Sequence, residues 1–328
     1  MGKYSRQEAK AYAKEELRGI FSAFCLPERS EGGVDEEGLR RDIGHYLDVV
    51  RASGLYVHGF YGNFWLLTSA ERRRVLEIVV EEVRGRVPIV CRCAHQSPRE
   101  TIELIRHAEG AGADFISLIG PSYASASEDM VLRYFEMMAA ETELGISVFN
   151  TAQAGYVISP RLMARLAEIP NICALKNDVS MAHTIEVRKL VGDSIAVVDP
   201  SEENFLVNLV QFGQRAIYTG TNYMYDGRHG TPMRDYVEAA LEGRFDRAAE
   251  LYFKMQPLRD VHRRWVLEPW TRSGLCPIGT IKSWTEHLGL TGGPVRPPLQ
   301  RLPESEARAL RADLEGLGVV AASPVAHG

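Results

Sequence analysis

The sequence predicts a (β/α)8 barrel, an α/β TIM-barrel fold, with a C-terminal helical extension. Eight short apolar runs alternate with helical segments, and such alternation implies a parallel sheet. The eight units occupy roughly 240 residues, the size of a closed barrel. No Gly-x-Gly-x-x-Gly turn follows the first run, so an open dinucleotide-binding sheet has no support.

Residues 5–17 have helical spacing and form a leading helix within a 1–18 segment. Residues 19–26 are the first strand. Asp35 caps a helix to about residue 52, with apolar positions at Leu39, Ile43, Tyr46, Leu47 and Val50. Residues 55–59 are the second strand, followed by an aromatic loop, 60–65, and a helix capped by Thr68 or Ser69 that runs to residue 84. The pattern continues with strands at 88–93, 114–120, 146–150, 172–176, 194–198 and 215–219. Helices are expected at 97–111, 128–142, 160–167, 181–190, 202–212 and 232–242. The barrel is thus expected to span 19–243. A helical region follows over 244–317, interrupted by Pro269, Pro277 and the Gly292-Gly293-Pro294 turn, and 318–328 is expected to be a loose tail.

The formal net charge of −5 gives no electrostatic case for nucleic acid or for an anionic membrane surface. The charged run 71–74 reads as a solvated helix face. No apolar stretch approaches the length of a bilayer span, and residues 1–18 have no signal-peptide core. Five cysteines without repeating spacing read as reduced thiols, so a cytoplasmic protein without a metal site is expected.

Barrel enzymes place their chemistry at the C-terminal ends of the strands. Lys176, behind the apolar run 172–175, is the only lysine at such an end, with Asp178 and Ser180 read as the cap of the next helix. Burial disfavours a charged amine, and a neutral lysine attacks carbonyls to form a Schiff base. The alternative is a lysine snorkelling to solvent, paired with Asp178.

Several stretches resemble the dihydrodipicolinate synthase and N-acetylneuraminate lyase family of class I aldolases. They are 34–39, Gly59-Phe60-Tyr61-Gly62-Asn63, Gly112-Ala113-Asp114, Pro121-Ser122-Tyr123, Phe149-Asn150, Gly155 before Pro160, Asn171-Ile172 leading into Lys176, and 293–298. The resemblance covers about Gly19 to Pro303. It implies a homotetramer (or homodimer), a pyruvate-type 2-oxo acid as substrate, and Lys176 as the imine-forming residue with no separate cofactor.

The departures from the family pattern are informative. The family's catalytic tyrosine falls on Phe149, its pyruvate-holding threonines on Phe60 and Tyr61, its glutamate on Asn63, and its Gly-Thr-Gly on Arg92-Cys93-Ala94. Dihydrodipicolinate synthesis itself is therefore not expected. Tyr123 is the expected replacement proton carrier, ahead of Tyr61 and Tyr156. Backbone N–H groups of Phe60, Tyr61, Gly62 and Asn63 are expected to hold the substrate carboxylate. Arg92 is either a bidentate carboxylate ligand or half of a structural ion pair. His95 reads as an exposed loop residue rather than a base. Phe149, Ile217 and Asn222 complete the expected substrate-binding set. The aromatic cluster of Phe60, Phe64, Trp65 and Phe149 suits an apolar aldehyde and resembles the hydratase-aldolases of the same family.

The expected activity is a Schiff-base lyase making or breaking a carbon–carbon bond to a 2-oxo acid, with an aldehyde as second substrate. The alternatives are a Schiff-base dehydratase or decarboxylase, and a binding homologue without catalysis.

Overall fold

A computed structural model describes residues 3–121 and 127–321. The strands are β1 (Gly19–Ser22), β2 (Gly54–Val57), β3 (Ile89–Arg92), β4 (Phe115–Leu118), β5 (Gly145–Thr151), β6 (Ile172–Asp178), β7 (Ala196–Val198) and β8 (Ala216–Thr219). All pair in parallel, in the order β7-β6-β5-β4-β3-β2-β1-β8, and the outermost two, β7 and β8, are in contact. The fold is a (β/α)8 barrel with a C-terminal helical extension.

The chain forms two compact units. The first comprises residues 1–22, 52–58 and 68–219, and the second 23–51, 59–67 and 220–328.

The first unit holds the eight strands. Apart from Asp178 and Ala196, their residues are buried, as expected of a parallel sheet covered by helices. Gly54 is required where β2 meets β1, because a Cβ there would lie 2.3 Å from the Phe21 ring. β1 ends at Ser22, short of the expected residue 26, because its ladder with β8 ends at Thr219. β6 runs two residues beyond its expected end, since the long β5 supplies Asn150 and Thr151 as partners for Asn177 and Asp178. Asp178 is thus the last strand residue, not part of a helix cap. Ser180 alone caps Met181–Val191, accepting the His183 N–H.

The leading segment belongs to this unit through specific contacts. Tyr4 and Tyr12 stack at 4.2 Å and lie against Phe115. Lys3 and Tyr12 converge on the Asp114 carboxylate, and the Tyr4 hydroxyl donates to the Asp114 carbonyl and accepts the Gly145 N–H. The charged run 71–74 is not wholly solvated. Arg72 shares the inner stripe of Ser69–Val83 with Val75, Leu76 and Val79, and its guanidinium donates to the carbonyls of Arg92 and Ala94 at 2.6 and 2.9 Å.

In the second unit, Phe24, Tyr46 and Tyr223 form an aromatic core. Glu28 anchors a buried ionic group, paired with Lys282 at 2.9 Å and Arg296 at 2.8 Å. Helices occupy Phe245–Lys254, Gln256–His262, Glu268–Ser273, Ile278–His287 and Glu304–Gly316. Pro269 does not interrupt them. It enters at the second residue of Glu268–Ser273, after a widened π turn, Arg263–Leu267, in which the Glu268 N–H reaches the Arg263 carbonyl. The wider turn accommodates a residue that lacks an N–H and clashes with a regular helical carbonyl.

Candidate active site

Strand alternation decides which side chains face the barrel interior. On β6, Asn177 turns outward, where its amide donates to Thr184 at 2.8 Å and accepts from Asn150 at 2.9 Å. Lys176 and Asp178 therefore face the opposite, interior side. Lys176 is 8% exposed, and its Nζ lies 4.2 Å from the Phe149 ring centroid and 5.0 Å from that of Tyr56. Its amine makes no hydrogen bond or ion pair among the described residues.

Burial pushes the Lys176 pKa down from 10.5 to about 8; the Asp178 charge opposes the shift and Arg92 reinforces it. At pH 7.5 roughly one amine in four is then neutral, against about one in a thousand for a free lysine. Buried charge usually demands a partner, and among the described residues only aromatic faces and a nearby carboxylate favour the ammonium. The arrangement is that of a nucleophilic amine.

Arg92 ends β3 at 1% exposure, with its guanidinium carbon 4.6 Å from the same Phe149 ring. Desolvation pushes its pKa down to about 10, with Tyr56 and Asp178 pulling the other way and Arg72 adding repulsion. Two cations thus border one ring. Asp178 is open to solvent by surface area yet surrounded by protein, and desolvation raises its pKa against the attraction of Lys176 and Arg92.

Tyr56 and Tyr218 were not among the expected site residues. Their rings stack at 5.3 Å, and the Tyr56 hydroxyl donates to Ser117 Oγ at 2.8 Å. Period-two alternation along β2 and β8 is the signal that identifies them. By the same alternation the Ile217 side chain faces away from the interior, beside inward-facing Tyr218. His95 is exposed, and its Nδ1 accepts the Ser97 N–H at 3.0 Å. Tyr123 lies outside the described residues. Tyr156 is bridged to Thr151 beyond the end of β5.

The remaining expected residues belong to the second unit. Phe60 packs against Phe64, Trp65 and Trp270. Tyr61 is 7% exposed, and its hydroxyl lies 3.3 Å from Nε2 of His262. Burial depresses the His262 pKa to about 3, so the imidazole is neutral, and its Nε2 shares a hydrogen bond with the Tyr61 hydroxyl. Gly220 leaves room for this tyrosine, since a Cβ there would lie 2.2 Å from its ring. Asn63 is fully buried in left-handed backbone, with its amide 3.4 Å from Glu28. That amide secures the loop. Gly62 and Asn222 are also buried.

Among the described residues no group of three or more His, Cys, Asp or Glu side chains has metal-binding geometry. None of their helices is long and apolar enough to cross a membrane.

Residues 16–317 match the model of the dihydrodipicolinate synthetase family. A 4-hydroxy-tetrahydrodipicolinate synthase of Methanothrix thermoacetophila is 30% identical over 297 residues, covering 90% of this chain and 95% of the relative. A probable 5-dehydro-4-deoxyglucarate dehydratase of Methylobacterium radiotolerans is 31% identical over 298 residues, covering 90% and 93%. The crystal structure of a dihydrodipicolinate synthase from Aquifex aeolicus superimposes with a TM-score of 0.81 over 92% of this chain and 98% of the other, at 24% identity. The last agreement is one of fold. The synthase names among these relatives leave the expected exclusion of dihydrodipicolinate synthesis without support.

Proposed function

The chain belongs to the dihydrodipicolinate synthetase family, which works through a covalent lysine–pyruvate imine without an added cofactor, and we propose that it is a Schiff-base lyase acting on a 2-oxo acid with Lys176 as the nucleophile. The observation that carries the reading is the Lys176 amine, enclosed by aromatic rings, unpaired among the described residues and shifted to a pKa of about 8. The neutral amine adds to the C2 carbonyl of the oxo acid, and uptake of one proton from solvent with loss of water leaves an iminium. The iminium draws electrons from the adjacent carbon, so a bond from that carbon to hydrogen or to an aldehyde carbon breaks or forms there. Phe149 presents a hydrocarbon ring in place of a phenol, so the proton must travel by another group. Tyr123 remains the sequence-derived candidate. Arg92, interior and cationic, suits a substrate carboxylate.

A second reading, a Schiff-base dehydratase, is favoured by the dehydratase name of a relative at 31% identity. The two differ in product. Incubation with pyruvate and a panel of aldehydes, including aromatic ones and aspartate semialdehyde, is expected to give a new carbon–carbon bond by NMR. Separate incubation with a 3-deoxy-2-oxo sugar acid tests dehydration. Loss of water from the sugar acid without condensation on any aldehyde would overturn the lyase in favour of the dehydratase. The expected assembly, a homotetramer or homodimer, is read by light scattering.

A further inference from the structure

The geometry points to Asp178 as the proton carrier of the imine chemistry, an assignment that rests on Lys176 being the imine lysine. The two residues are separated by one position on β6, and the outward turn of Asn177 puts them on the same, interior side. Their Cα atoms are about 6–7 Å apart along the strand, with Asp178 nearer its C-terminal end. The charges influence one another, yet ammonium and carboxylate are not in ion-pair contact. That separation leaves room for a substrate carbon between nitrogen and carboxylate.

Among the described residues, several other inward or nearby groups are committed elsewhere. The Tyr56 hydroxyl donates to Ser117. Asp199 accepts from the Ser201 N–H at 2.9 Å and from the amides of Asn204 and Asn208 at 3.0 and 3.2 Å. Phe149 has no proton to move. The Asp178 side chain makes no hydrogen bond or ion pair among the described residues and is open to solvent, so a proton it gains exchanges with water.

The step balances without a further reactant. In the pyruvate iminium the Asp178 carboxylate removes a proton from C3, the C3–H electrons form the C2–C3 double bond, and the C–N π pair returns to nitrogen. The products are a neutral enamine and a carboxylic acid. The reverse step delivers a solvent-derived proton to C3. Desolvation that raises the carboxyl pKa strengthens the base for this work.

The test measures two properties of one set of proteins: borohydride trapping of pyruvate on the enzyme, and washing of deuterium from D2O into the pyruvate methyl group by proton NMR. The parent is expected to show both. Asp178→Asn is expected to keep trapping while losing exchange by at least about 100-fold. Asp178→Glu is expected to recover part of it. A thermal melt establishes that each variant is folded. Parent-like exchange by Asp178→Asn would overturn the assignment. Loss of trapping in folded Asp178→Asn would also overturn it, since Asp178 would then act on imine formation. A parent that traps no oxo acid sinks the imine reading itself, and this inference with it.

Discussion

The Lys176 Nζ lies 4.2 Å from the centroid of the Phe149 ring, and the two residues are direct register partners across β5 and β6. The ring therefore does more than fill space where a phenol is absent. Its face favours the ammonium form, by about 0.5–2 kcal/mol for a desolvated pair. Phe149→Leu keeps the site apolar and removes that face. The Lys176 pKa is expected to fall further below about 8, by up to about one and a half units. The pH dependence of imine formation measures the shift, and an upward movement would contradict the assignment.

Arg92 acts with the opposite sign. Its charge lowers the Lys176 pKa, so Arg92→Met is expected to raise it and to slow imine formation near neutral pH. If the guanidinium also holds the substrate carboxylate, KM rises beyond what the pH profile accounts for. Rates measured both at pH 7 and well above the lysine pKa separate the two effects.

The depressed lysine pKa carries a stability cost. The folded value of about 8 lies below the ordinary 10.5, so between those pH values the unfolded chain binds the proton that the folded chain has released. The cost is full below about pH 8 and disappears above the ordinary value. Its size is about 3 kcal/mol. Lys176→Met is therefore expected to be inactive and more stable than the parent at pH 7, with an advantage that shrinks as pH rises from 8. Chemical denaturation at pH 7 and pH 9.5 checks both sign and trend.

In the second unit the strongest expectation concerns Glu28. Its side chain is 3% exposed and faces Lys282, at 2% exposure, together with Arg296 and the Asn63 amide. Glu28→Gln leaves a buried ammonium without its counter-charge, at a cost of about 3–5 kcal/mol. Arg296 also donates to the Leu66 carbonyl at 2.9 Å, so loosening Glu28 is expected to speed hydrogen exchange across residues 59–67. Unchanged stability would mean that water replaces the lost carboxylate.

The barrel was legible because buried parallel strands read as continuous apolar runs, and Lys176 because it is the lone amine at the end of such a run. Asp178 was misread because a following Ser-containing helix start resembles a cap, whereas β5 extends far enough to hold it in the sheet. Arg72 was hidden in a charged run, although its spacing with Val75, Leu76 and Val79 marks the inner stripe. The contact between the Asn63 amide and Glu28 was not legible, because the two residues are 35 positions apart and local pattern carries no trace of the pairing. Tyr56 and Tyr218 follow from alternation once the strand register is known, and register is a property of the neighbouring strands.

Borohydride reduction in the presence of pyruvate, followed by peptide mapping, tests the central claim most directly. A pyruvate-derived adduct on Lys176, absent from Lys176→Met and forming with a midpoint near pH 8, is the predicted result. An adduct on another lysine, or none with pyruvate or any other 2-oxo acid, would contradict it.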